Sequence, residues 1–365
     1  MSDVGRTVTI GQSSMGRPVV TSIRGEATAR RRVLIIAGQH GDEVRAARLT
    51  RRWFETTTLP DDVALACIAT LNPDGCAART RLTATGIDLN RDHVLLRAPE
   101  TRACHSFVSG WAPHAVIDVH SFPSRRDVLL RRGLVLPWDV CIDTATHPAC
   151  PPTTIADDVI DVLRAGGTHV HRYVRVTHRT VRHSTPRPYD ARNGLALRHD
   201  LLSLLVELRA ATCRDDEHAR TQLRQALRRS LSAAVSWVAA APDSAWPAPA
   251  STGSRVAVSW RAPGQPGTLD LGCAETGGVR PALFDRVVSR FLPRRHVAVP
   301  RGWRVPDSAV PILRRHGFDP VDLGDSWWQP LPLTGARWLA VALEPRSRTV
   351  LPTGQPPSAL LGPHP

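Results

Sequence analysis

The chain has 365 residues, 42% of them apolar, which allows one large α/β domain with or without a smaller partner. No run approaches the ~18 consecutive apolar residues of a membrane-spanning helix, so a membrane is not an expected partner. The formal net charge is +14, but all 47 basic residues are scattered arginines, which is a weak bias toward anionic ligands and not the clustered stripe of a nucleic-acid groove.

Met1–Arg6 shows no basic segment leading into an apolar run, so no secretory signal is visible and a cytoplasmic setting is expected. The seven cysteines are an odd number without a CxxC pair and are expected to stay reduced. In chain order, Arg17–Gly25 and Arg32–Gly38 read as strands, the second apolar throughout Val33–Ile36 as in a buried parallel strand. Glu43–Glu55 reads as a helix, and Val63–Leu71 as a strand ended by the turn Asn72-Pro73-Asp74-Gly75. Ala115–Val119 and Leu201–Glu207 are two further buried strands, and Asp215–Ala240 is a long helical pattern. Alternation of this kind predicts an α/β fold, a mixed, mostly parallel sheet with helices on both faces. The expected division is a main domain over 1–242, a Pro/Ala/Ser linker over 243–254, and a small β-rich accessory module over 255–365 with a frayed C-terminus.

The candidate chemistry lies at strand ends, where open α/β sheets bind ligands. Gly38-Gln39-His40-Gly41-Asp42-Glu43 places an HxxE pair after a buried strand, with both side chains expected on the first turn of a helix and facing one point. His120 ends another strand, in Asp118-Val119-His120-Ser121. Two histidines and one glutamate suit a catalytic Zn²⁺ with a fourth position left for water. Glu207 closes an otherwise apolar strand; it reads either as a general base or as an ion-pair partner of an arginine such as Arg209. In Gly86-Ile87-Asp88-Leu89-Asn90-Arg91, the Asn90-Arg91 pair can grip a carboxylate, and Asp88 can fix the tautomer of His40. His93 could touch substrate, whereas His169 and His171 alternate on an expected strand without a third ligand.

These residues form part of a longer ordered signature. IGQSSMGRPV at 10–19, GQHGDE at 38–43, LNPDG at 71–75, RLTATGIDLNRD at 81–92, DVHS at 118–121 and LLVEL at 204–208 together resemble the M14 family of zinc carboxypeptidases. The resemblance covers roughly residues 8–210 and implies one zinc on His40, Glu43 and His120, with Glu207 as general base. It further implies that Arg81 polarises the scissile carbonyl, that Asn90 and Arg91 bind a terminal carboxylate, and that Tyr189 closes over the substrate. Gly41-Asp42 departs from the digestive members, which carry arginine inside this motif, and the short Glu43–His120 spacing implies trimmed loops.

The expected function is hydrolysis of an amide next to a free carboxylate, on a specialised small peptide. The alternative is an N-acyl-amino-acid deacylase of the aspartoacylase or succinylglutamate desuccinylase type, which shares the HxxE, DxNR and DxH elements; the NPDG segment favours the carboxypeptidase branch. A non-catalytic binding module would be expected to have lost a ligand or the base, and none is lost here.

Overall fold

The computed structural model describes residues 5–343 apart from 27, 184, 185 and 214. The frayed tail expected at the C-terminus lies outside the described residues. Eight strands form the central sheet: β1 (Arg6–Gln12), β2 (Pro18–Arg24), β3 (Arg31–Ala37), β4 (Val63–Ile68), β5 (Ala115–Phe122), β6 (Val140–Thr144), β7 (Val170–Arg172) and β8 (Leu202–Arg209). Their spatial order is β1-β2-β4-β3-β5-β8-β6-β7. The central block β4-β3-β5-β8 is parallel, and the antiparallel pairs lie toward the edges. The expected mixed, mostly parallel sheet is what forms.

The apolar run of β3 explains its central place. Val33, Ile35 and Ala37 enter one core and Leu34 and Ile36 the opposite one, so no face is left for water. Helices Val44–Thr56, Ile155–Ala165 and Glu217–Ala240 cover the first face. The first of them buries Ala46, Ala47, Thr50, Trp53 and Phe54, a stripe at helical spacing. Helices Pro99–Trp111 and Ala191–His199 cover the other face. Among the described residues no helix is long and apolar enough to cross a membrane, and all seven cysteines are free.

Residues beyond the Pro/Ala/Ser segment do not form a body of their own. Strands Gln265–Cys273 and Val279–Val288 join Leu134–Val135, Val174–Val176 and Thr180–His183 in one five-stranded sheet. Trp338, Leu339 and Val341 of helix Ala336–Leu343 share a core with Val94 and Leu197 of the first part. The Arg198 guanidinium donates to the His316 carbonyl oxygen, Nε at 3.1 Å. The boundary expected at 243–254 is therefore a change of composition across a continuous core, because strands of the later segment find their hydrogen-bonding partners in the earlier one. The segment is rich in strands, as expected, but also contains helices Val310–Arg315 and Ala336–Leu343.

Candidate active site

The parallel strands β3, β5 and β8 deliver their carboxyl ends to one crevice. After β3, Gly38 takes a positive φ of 64° and turns the chain toward His40. The HxxE pair sits in this loop and not on the first helical turn, because Glu43 is the N-cap of helix Val44–Thr56. A turn closed by the Glu43 N–H donating to the His40 carbonyl (3.1 Å) brings the two side chains together. Glu43 makes no side-chain capping bond; its Oε1 lies 2.7 Å from His40 Nδ1, and its Oε2 lies 3.0 Å from His120 Nδ1.

The turn expected at 72–75 is the start of a short helix, Pro73–Ala78, capped by Asn72, and it holds this loop from the outside. Asn72 accepts a bond from the Gly75 N–H at 2.8 Å and donates to the Gln39 carbonyl at 3.3 Å. Asp74 is buried, accepting from Arg17 (2.6 Å), from the Ser13 hydroxyl (2.9 Å) and from the Met15 N–H (3.0 Å). The segment Ser13–Arg17 is thus an anchor for the short helix that anchors the HxxE loop.

One ligand atom from each of His40, Glu43 and His120 can be chosen so that all three lie within 4.8 Å of one another, close enough to hold a single metal ion. Each imidazole presents Nδ1 to this point while its Nε2 faces a carboxylate, Asp88 at 3.2 Å for His40 and Asp118 at 3.1 Å for His120. Such outer carboxylates fix the tautomer that leaves Nδ1 free as a ligand, so the donor set fits a divalent metal. The electrostatics agree. Burial alone would raise the Glu43 carboxyl, but His120 and then His40 bring it down to about 2. Burial would lower His120, yet Asp118 and Glu43 raise it well above the ordinary imidazole range. The pocket is built to stabilise a positive charge at this point. We expect the purified protein to hold about one metal ion there, measured by elemental analysis, and the His40→Ala/His120→Ala double variant to lose it. Unchanged metal content would place the site elsewhere.

Glu207 lies in register with His120 on the neighbouring parallel strand, so the two side chains leave the same face at the same level. Arg209 is engaged elsewhere, bonding Asp215 at 2.8 Å and approaching Asp139 at 3.7 Å, which overturns the reading of Glu207 as its ion-pair partner. Burial raises the Glu207 carboxyl to about 7; the charge of His120 offsets part of this and Glu43 adds to it. A carboxyl held near neutrality is suited to accept and return a proton.

Arg81 donates to Asp88 at 3.0 Å and brings its Nη1 within 3.4 Å of His40 Nδ1. Asn90 sits 3.1 Å from His120 Nε2 through Nδ2, while its Oδ1 accepts from the Ala191 N–H at 2.8 Å. Arg81, Asn90, Arg91 and Glu207 line one cleft with His40 and Glu43. Tyr189, expected to close over the substrate, is not on this wall: it packs against the core shared with the C-terminal segment. The wall carries Tyr173 instead. His93 is buried and does not reach the cleft, its ring nitrogens lying 3.0 Å from Gln39 Oε1 and 3.1 Å from His105 Nε2.

Residues that the sequence reading missed include Asp118 and four arginines of the cleft wall: Arg126, Arg175, Arg187 and Arg192. Asp118 had a usable signal, since a residue two before His120 on a strand must share its face. The arginines had none, coming from separate segments of chain.

No protein-family model matches the chain. Among curated proteins it is 35% identical to murein peptide amidase A of Escherichia coli (strain K12) over 82 residues, 22% of this chain and 33% of that protein. It is 24% identical to carboxypeptidase 2 of Trichophyton tonsurans over 137 residues, 35% of this chain and 25% of that one. The chain thus spans a quarter to a third of the length of the curated relatives it matches. In three dimensions it superposes on a metallo-carboxypeptidase from Pseudomonas aeruginosa with a TM-score of 0.51 at 20% identity, covering 64% of each chain. The fold is that of the metallocarboxypeptidases.

Proposed function

We propose that the protein is a zinc-dependent metallocarboxypeptidase that hydrolyses an amide bond next to a free carboxylate on a small peptide. The observation that carries this reading is the strand-end group His40, Glu43 and His120 with Glu207 in register beside it. A Zn²⁺ held by these three residues would supply Lewis acidity, acidifying water and polarising a carbonyl. Glu207 takes the proton from the attacking water and returns it to the leaving amine. Arg81, whose guanidinium reaches the edge of the metal point, donates to the carbonyl oxygen as negative charge develops there. Arg91, with its exposed planar fork, and Asn90 receive the terminal carboxylate. The short likeness to a peptide amidase fits a substrate that is a small, specialised peptide.

The test is a pair of substrates differing only at the C-terminus. Amidation removes the charged partner of Arg91, and turnover of the zinc-loaded protein should fall at least ~10²-fold. Equal rates on acid and amide would overturn the carboxypeptidase reading and leave a generic amidase.

A further inference from the structure

Resting on that reading, we propose that the released residue is itself acidic: the cleft takes a dicarboxylic C-terminal amino acid, with Arg175 and Arg187 receiving its side-chain carboxylate. Six arginines line this one cleft: Arg81, Arg91, Arg126, Arg175, Arg187 and Arg192. Two are neutralised by neighbouring carboxylates, Arg81 by Asp88 at 3.0 Å and the buried Arg192 by Asp143 at 3.1 Å. Arg91 is assigned above to the terminal carboxylate. Among the described residues Arg126, Arg175 and Arg187 have no carboxylate within ion-pair distance.

The three come from separate parts of the fold. Arg126 follows β5, Arg175 lies on strand Val174–Val176, and Arg187 lies in the segment leading to helix Ala191–His199. Arg126 lines the cleft beside Tyr173, to which its side chain hydrogen-bonds, and its buried Nε meets no hydrogen-bond partner among the described residues. Arg175 stands directly opposite Arg182 across the antiparallel pair, a like-charge pairing that destabilises a sheet unless something compensates it. Arg187 feels the same crowding: burial and then the charges of Arg175 and Arg91 pull its guanidinium below the ordinary range, with Asp190 opposing. The protein therefore holds repelling guanidinium groups around one concavity. A second carboxylate on the ligand relieves that repulsion and accepts a bidentate pair of bonds. A neutral or basic side chain leaves it in place, which discriminates against such substrates by repulsion as well as by lost bonds.

The experiment compares N-acetyl-Ala-Glu with the near-isosteric N-acetyl-Ala-Gln, and with the Leu and Arg analogues. For the zinc-loaded full chain kcat/KM should favour the Glu peptide over the Gln peptide at least ten-fold, the margin narrowing as salt is raised. Arg175→Gln and Arg187→Gln should each shrink that ratio, and the double variant should bring it close to one; Arg187→Lys should restore part of it. Binding of the same peptides to the zinc-loaded Glu207→Gln protein, measured by calorimetry, separates this inference from the assigned reaction. If no peptide is hydrolysed but the Glu peptide still binds at least ten-fold more tightly than the Gln peptide, the proposed activity fails and the acidic pocket stands. Equal affinity and equal kcat/KM for the two peptides overturn it, and the wild-type ratio decides the matter even where a variant does not fold.

Discussion

Glu207→Gln is expected to leave the protein folded and metal-loaded while lowering turnover at least ~10²-fold, the usual size of a lost general base. The substitution keeps volume and hydrogen-bonding capacity and removes only the basic oxygen. Arg209 is not stranded by it, being held by Asp215 and Asp139. The metal-free protein supplies a second readout. The folded state raises this carboxyl from 4.5 to about 7, so it favours the protonated form. The stability Glu207 contributes is then fully present below about 4.5 and is lost as pH rises through about 7. At one pK unit per 1.36 kcal/mol, that loss reaches at most about 3 kcal/mol. In chelator, the Gln variant should therefore unfold at a higher temperature than the unaltered protein at pH 8 and at nearly the same temperature at pH 4.5. A folded, metal-loaded variant with near-normal turnover would move the base elsewhere, and an identical pH dependence of unfolding would show that the carboxyl is not held protonated.

How far the site was legible in sequence depends on whether its parts are local in the chain. Asp88 and Asn90 lie at the single turn Leu89–Arg91, away from any strand end, but His40, Glu43, His120 and Glu207 stand at or just beyond strand ends that announce themselves by apolar runs, and a parallel sheet brings such ends to one rim. Their convergence could be read without coordinates. The loop geometry of the HxxE pair could not, because Glu43 has the position of an N-cap but turns its carboxylate away from the helix toward two imidazoles. Tyr189 illustrates a different limit. With only two tyrosines in the chain, distance from Glu207 selected Tyr189, yet tertiary packing half-buries it against the core shared with the C-terminal segment and brings Tyr173 to the cleft. The arginines show the limit most clearly. Along the chain they are dispersed, and only the meeting of β5, strand Val174–Val176 and the segment before helix Ala191–His199 gathers them. A residue-by-residue charge reading has no access to that meeting. The same reasoning applies to the composition boundary at 243–254, which marks no break in the core because strand pairing is decided by free edges and not by the linker's residues.

Gly41→Ala should cost the protein both stability and metal, although a single methyl group is all it adds. A Cβ at Gly41 would lie 2.0 Å from the Gly75 carbonyl carbon, 2.3 Å from its oxygen and 2.4 Å from the Cys76 nitrogen. These are backbone atoms, so no side chain can swing aside to make room. The contact is closed from both sides: the Leu71 and Asn72 N–H groups donate to the Ala37 and Gly38 carbonyls at 3.0 and 2.9 Å, and the Asn72 amide donates to the Gln39 carbonyl. Gly75 cannot retreat freely either, being packed against Asn72 and the Leu82 carbonyl. The two loops must part, and His40 moves with the loop that carries it, away from Glu43 and His120. Overpacking of this kind costs about 1–3 kcal/mol or more, so the variant should melt several degrees lower and hold less than half the metal of the unaltered protein. The start of helix Pro73–Ala78 occupies the space that a side chain at position 41 would need. Gly110→Ala is the control, because its Cβ meets nothing within 4 Å inside helix Pro99–Trp111 and the change should be neutral or mildly stabilising. A Gly41→Ala protein with full metal content and an unchanged melting temperature would mean that the two segments can separate without moving His40, and that the docking of helix Pro73–Ala78 does not set the metal site.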